Sequence, residues 1–174
     1  MSWRRTLRLH PDSRCAAATS IEVEITQQRA GSLLVSYVVT GTIGDLRLPP
    51  PAAPVRADEL WRHTCFEAFV RASPGETYYE FNFAPSTQWA AYGFDGYRAG
   101  MRVAAEIRAP RIDVQAGAAR YALQASLELG GAAGRLGLAA VIEELNGNKS
   151  YWALAHPPGE PDFHHSDCFA LEFP

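Results

Sequence analysis

The sequence predicts a mostly β chain folded as an antiparallel, jelly-roll-like β-sandwich, on three observations. Short runs of alternating or aromatic residues recur, Gly, Pro and Asp punctuate them, and no window sustains a helical period without a glycine or a β-branched cluster. Many short strands divided by turns pack as facing sheets rather than as a layered α/β sheet. The 174 residues, 47% hydrophobic and 20% charged, suit a single domain spanning 1–174. A chain of this size buries about 68–70% of its unfolded surface, so its core needs neither disulfide nor metal.

Taken in order, the first strand is predicted over 4–10, where an alternating pattern follows the opening residues. Strands at 21–27 and 33–40 follow. Residues 45–47 are read as a strand continuation into 48–55, where Pro49, Pro50, Pro51 and Pro54 cannot join a ladder and predict an extended surface connection. That stretch is not a domain boundary, because the 48 residues up to it are too few for a core of their own. A helical turn is expected at 57–61, then a hairpin of strands 65–72 and 78–83 around Ser73-Pro74-Gly75-Glu76. Strands are predicted next at 89–94, 103–109, 112–116 and 119–129, with Gly130-Gly131-Ala132-Ala133-Gly134 as a flexible tip. Strands at 135–143, 151–156 and 168–173 complete the set.

The central hairpin has two unlike faces. Phe66, Ala68 and Val70 share a core face with Tyr79, Phe81 and Phe83, which leaves Glu67, Phe69, Tyr78, Glu80 and Asn82 on the other. A loop centred between Ser73 and Pro74 sets Glu67 directly across from Glu80, with Cβ atoms about 4.5–5.5 Å apart. Like charges at that spacing call for a basic neighbour, a bound cation, a raised carboxyl pKa or a ligand that donates hydrogen bonds. Arg120 is the expected neighbour: Tyr121, Leu123 and Ala125 face the core, so Arg120, Gln124 and Ser126 point the other way. Its rigid fork suits a carboxylate pair. The same parity puts Trp89 with the carboxylates and Tyr92 with Phe94 on the opposite face. Aromatic planes beside carboxylate, amide and guanidinium groups suit a polyhydroxylated ligand, whose C–H faces meet rings and whose hydroxyls meet polar groups. The plainer alternative is a half-solvated sheet face with routine ion pairs.

Charge and composition exclude other classes. The formal charge of −3 argues against tracking a phosphate backbone, and hence against nucleic acid. Fifteen of the sixteen basic residues are Arg, Lys149 being the one lysine, as in an Arg-rich composition. Lacking a long apolar run or a signal-peptide segment, the chain is expected to be soluble, cytoplasmic and free of membrane partners. Cys15, Cys65 and Cys168 have no C-x-x-C spacing and read as reduced, partly buried thiols.

The blocks Asp58-x-x-Trp61-x-x-Thr64-Cys65-Phe66-Glu67-x-Phe69, Tyr78-Tyr79-Glu80-Phe81-Asn82-x-x-Pro85, Tyr151-Trp152-Ala153-Leu154 and Pro161-Asp162-Phe163-His164 resemble the DOMON-like proteins related to family 9 carbohydrate-binding modules. The resemblance runs from about residue 58 to the end and rests on the order and spacing of short blocks. It implies a β-sandwich that binds sugar or haem, with structural calcium in some members, and it implies Trp61, Glu67, Glu80 and Asn82 at the concave face. It also implies a haem alternative, an electron-transfer domain with Met101 paired with Lys149 or a histidine. Most such modules are exported or attached to other domains, whereas this chain is expected to stand alone without an export signal.

Two further chemistries compete. Asp162-Phe163-His164-His165-Ser166-Asp167 offers nitrogen and oxygen ligands that suit zinc or another transition ion, with His164 and Asp167 the candidates, and calcium or another divalent metal stays a candidate cofactor. Adjacent histidines in extended chain point to opposite faces, so only one can join His156. Carboxyls about 5–5.5 Å apart would also match a retaining glycoside hydrolase using Glu67 and Glu80. The reading favoured by the residues is a non-catalytic module that binds a carbohydrate or similar small molecule through Trp61, Glu67, Tyr78, Glu80, Asn82, Trp89, Arg120 and Gln124, without a required cofactor.

Overall fold

The computed structural model describes residues 2–72, 75–130 and 134–173. Its strands are β1 (Ser2–Leu9), β2 (Ala18–Arg29), β3 (Ser32–Gly41), β4 (Cys65–Ala72), β5 (Tyr78–Phe83), β6 (Trp89–Phe94), β7 (Arg102–Val103), β8 (Ile112–Ala116), β9 (Arg120–Glu128), β10 (Gly134–Glu143), β11 (Lys149–Ala153) and β12 (Leu171–Phe173). The expected β-rich, antiparallel sandwich is therefore the fold. Among the described residues, no helix is long and apolar enough to cross a membrane.

The strands form one curled antiparallel ladder in the order β7-β6-β5-β4-β10-β11-β1-β2-β3-β9-β8, with β12 added to β10. β1 is the corner. Its residues from Ser2 to Leu7 pair with β2, whereas Arg8 and Leu9 pair with β11, so one strand joins two layers that then face each other. Between the layers, Phe66 of β4 lies 5.1 Å from Tyr37 of β3 and stacks on Tyr121 of β9 at 6.0 Å. Ile21, Val23, Ile25, Leu33, Val35, Val39, Leu123, Leu136 and Leu138 fill the same core. These are the apolar positions of the period-2 pattern, which explains why the strands were legible.

Four expectations are corrected. The strand at 103–109 shrinks to β7, because the Arg56 guanidinium takes the carbonyls of Ala104 and Ile107 that a longer ladder would have used. Residues 43–45 form a 3-10 turn and Leu46 makes only an isolated bridge to Glu144, so 45–47 is not a strand. The helical turn falls at Leu60–Arg62, after Glu59 in a left-handed conformation. The last strand begins at Leu171, since residues 166–168 turn as a 3-10 helix. Ser73 and Pro74 of the expected hairpin turn, and residues 131–133 of the expected tip, lie outside the described residues.

One polar bond crosses the core. Tyr37 is fully buried and donates its hydroxyl at 2.7 Å to the backbone carbonyl of Glu67, tying β3 of one layer to β4 of the other. Burial raises the Tyr37 pKa well above that of a free phenol, so the hydroxyl stays a donor. Tyr37→Phe should lower unfolding free energy by about 1–2 kcal/mol, read as a shifted urea midpoint at unchanged slope.

Candidate functional site

In most antiparallel sandwiches a strand buries one face and wets the other. β4 buries its first six residues without alternation, and β6 is buried throughout. The outer face is covered by residues 57–63 and 157–169. Phe69, Tyr78, Tyr92 and Phe94 point outward from the strands into a second apolar cluster with Phe163 and Phe169, and Trp61 and Tyr151 pack at its margin. Phe69 meets Phe163 and Phe169 edge-on at 6.4 and 6.3 Å, while Trp61 meets Tyr92 edge-on at 5.7 Å.

Glu67 and Glu80 sit on this covered face, only 3% and 5% exposed. Their expected side is correct and their expected pairing is not: Glu67 lies across from Asn82, and Glu80 across from Phe69. The last pair, Arg71 with Tyr78, centres the hairpin one residue later than expected, which moves each partner by two. A shift of two keeps every side chain on its face and changes only its partner. On its other side Glu67 faces Ala139, a small neighbour.

The surrounding hydrogen bonds form a directed chain. The Arg98 backbone N–H donates to the Tyr78 hydroxyl at 3.3 Å, that hydroxyl lies 2.7 Å from His164 Nδ1, and His164 Nε2 lies 3.5 Å from Glu80 Oε2. With Nε2 protonated, the Tyr78 hydroxyl donates to Nδ1 and the Nε2–H faces the Glu80 carboxyl. Asn82 Nδ2 donates to Glu80 Oε1 at 2.9 Å. No described residue donates a hydrogen bond to the Glu67 carboxyl. Asp162 fastens the cover: it accepts from the Arg98 guanidinium at 2.8 Å, from the His164 backbone N–H at 3.1 Å, and from the Tyr97 hydroxyl. Arg98 occupies a left-handed conformation, and Gly100 follows at φ +65, where a Cβ would fall 2.0 Å from a carboxylate oxygen of Asp95.

Burial sets the protonation of this cluster. It raises the Glu67 carboxyl well above the usual range, with the charge of Glu80 adding to the effect. It raises Glu80 to about 6 against the opposing pull of the Asn82 hydrogen bond and Arg98. It pushes His164 down to about 4, helped by Arg98 and opposed by Asp162. His164 is thus neutral at pH 7, and its 3.5 Å approach to Glu80 is not an ion pair.

Between strands and cover lies a cleft of about 380 Å³, lined by Trp61, Glu67, Glu80, Phe94, Arg98, Met101, Val141, Tyr151, Pro161, Phe163 and His164. The structure thus brings Trp61, Glu67 and Glu80 together, with Tyr78 and Asn82 bonded to the cleft residues His164 and Glu80. Three expected residues lie elsewhere. Trp89 pairs with Phe83 on the core face under the Arg56 guanidinium, 4.1 Å away, and Tyr92 and Phe94 take the outer face instead. Arg120 pairs with Thr40 on the exposed side of the other layer, and Gln124 there donates to Ser36 Oγ at 2.9 Å. Arg120 therefore does not compensate the carboxyls. Arg98, which carried no periodic signal, is the cation at the cleft; its mark in the sequence is a Tyr-Arg pair in a turn flanked by Gly96 and Gly100.

The metal candidates separate as well. His164 points into the cleft and His165 out of it, as alternation requires, and exposed Asp167 sits beside His165 at 3.6 Å. Among the described residues, no three His, Cys, Asp or Glu side chains group to hold a metal ion. Haem ligation fits no better. Met101 shares the cleft with His164, but Nδ1 of His164 is engaged by Tyr78 and its Nε2 faces the Glu80 carboxyl, and Lys149 is not in the lining. His156 bonds the Arg8 carbonyl and His63 bonds Glu143, both away from the cleft.

No protein-family model matches the chain, and no curated protein matches it in sequence. Among solved structures, the fold is similar to that of a candidate carbohydrate-binding protein from Bacteroides uniformis, with a TM-score of 0.69 over 95% of this chain and 83% of that one. The two share 13% of their residues, so the likeness is one of fold.

The Glu80 proton has a measurable consequence. Its folded-state pKa is raised from 4.5 to about 6, so its contribution to stability is present below pH 4.5 and lost as pH rises through 6. Glu80→Gln should therefore gain up to about 2 kcal/mol over wild type between pH 4.5 and pH 7. Parallel urea titrations at the two pH values read this difference.

Proposed function

We propose that residues 1–174 form one DOMON-like domain, related to family 9 carbohydrate-binding modules, that seats a carbohydrate or similar polyhydroxylated small molecule in the cleft between the β4–β5 face and its cover. One observation carries the reading: two carboxyl groups, 3% and 5% exposed, line a cleft walled by aromatic rings. No described residue donates to the Glu67 carboxyl, and an acceptor so withdrawn from bulk water is stabilised by a ligand that donates to it. Sugar hydroxyls supply such donors. The rings of Trp61 and Tyr151 would cover the C–H faces of a pyranose while Glu67 and Glu80 accept from its hydroxyls and Arg98 donates. The cleft volume lies near the small end of the range for ligand sites, which suits one or two sugar rings better than a polymer chain. The name of the Bacteroides uniformis neighbour, as a candidate carbohydrate-binding protein, supports the same direction.

Binding without turnover is the expected outcome. Isothermal titration with a panel of mono- and disaccharides should give saturable heat for wild type, and Trp61→Ala should weaken it by about tenfold or more by removing the ring platform. Heat unchanged by Trp61→Ala, or no heat across the panel, would sink the reading. Hydrolysis of an activated aryl glycoside, lost in both Glu67→Gln and Glu80→Gln, would replace binding by glycoside hydrolysis.

A further inference from the structure

We propose that the ligand of this cleft carries a protonated amine, so that the site selects an amino sugar, or a similar polyhydroxylated amine, over its neutral counterpart. The inference rests on the binding role given above and adds the charge of the ligand. Its starting point is Glu67, 3% exposed, lining the cleft, and offered no hydrogen-bond donor by any described residue. A carboxyl in that setting wants a donor brought from outside, and an ionised one wants a positive charge.

The groups that face Glu67 do not provide one. From β5 come Glu80, a second carboxyl, and Tyr78, whose hydroxyl is engaged by His164. From the cover come His164, neutral through burial, and Asp162, an anion. Among the described residues Arg98 is the one cation in the cleft lining, and its guanidinium is bonded to Asp162 at 2.8 Å. From the strand on the other side comes Ala139. Asp58, near Trp61, accepts from the Tyr92 hydroxyl and adds no positive charge.

An ammonium group answers each of these conditions. It brings three N–H donors to a cleft lined by both carboxyls, and its charge offsets the repulsion between them. The walls suit it too, since Trp61, Phe94, Tyr151 and Phe163 offer aromatic faces that attract a cation in a partly dry site. A neutral sugar can donate hydroxyls to the same carboxyls but leaves their mutual repulsion in place. An amine also shifts the balance toward ionised carboxyls, so binding releases protons and weakens as pH falls through 6, where Glu80 takes up its proton.

The test is isothermal titration of the full chain with matched sets: glucosamine, glucose and N-acetylglucosamine, and the corresponding galactose series. Runs at pH 7 and pH 5, in two buffers of different ionisation enthalpy, count the protons released. The expected result is an affinity for the free amine about tenfold or more above both neutral partners at pH 7. That preference should come with proton release, shrink at pH 5 and close in Glu67→Gln. Gln is isosteric and removes a buried acid, so a folded variant is expected, checked by its near-ultraviolet circular dichroism. Neutral sugars that bind as tightly as the amines would overturn the ammonium and leave the carbohydrate reading standing. An amine preference that survives intact in both Glu67→Gln and Glu80→Gln would overturn it as well, because the selecting charge would lie elsewhere. No binding by any member of either set would overturn this inference together with the function on which it rests.

Discussion

Burial on both faces of β4 and β5 is the constraint from which the site follows. The inner face is apolar because it closes the sandwich against Tyr37 and Tyr121. The outer face is half aromatic, and Phe69, Tyr78, Tyr92 and Phe94 together are too large an apolar surface to leave in water. Loops with short 3-10 turns fold over them. Glu67 and Glu80 share that face by strand parity, so hiding the rings hides the acids. The hydrophobic effect and the carboxylates pull against each other here, and the outcome is a cleft in which two acids hold their protons more tightly than acids in water.

Asp162 is the fastening of that arrangement. One carboxylate accepts from Arg98 and Tyr97 on the loop after β6, and from the backbone of His164 on the segment before β12. Both walls of the cleft thus depend on a single acceptor, and His164 is aimed at Glu80 by the same turn that presents its backbone to Asp162. The cluster is polar on its inside and apolar around it, which makes each hydrogen bond within it stronger than it would be in solvent.

Most of the strand framework was legible in the sequence because the period-2 signal comes from the core itself: Ile21, Val23 and Ile25, or Leu123 and Ala125, recur on one face for the reason that they are buried there. The two faces of the central hairpin were legible for the same reason. Register was not, since it depends on how many residues the turn consumes, and a shift of two leaves the pattern of faces untouched. Trp89 was misplaced by the reverse fault: the link from β5 to β6 fixes it against Phe83, on the core side, by a count that alternation within either strand does not contain. Arg120 showed the correct face of its own strand, but that strand belongs to the other layer, and no local pattern says which layer a strand will join. The cover was the least legible part. Arg98, Asp162 and Phe163 act through contacts between loops, and loops have no period to betray their partners.

The chain of bonds from Tyr78 to His164 spans 86 residues of sequence. At about 5–20 residues per second, the ribosome takes roughly 4–17 s to cross that interval. Through that time the β4–β5 pair can exist while half of its roof does not. Glu67 and Glu80 then stand in water, ionise as ordinary carboxylates and keep the aromatic outer face of an unfinished sheet charged. The acids that later make a dry pocket begin as the solubilising charges of a growing chain, and only the arrival of Asp162, Phe163 and His164 turns one into the other.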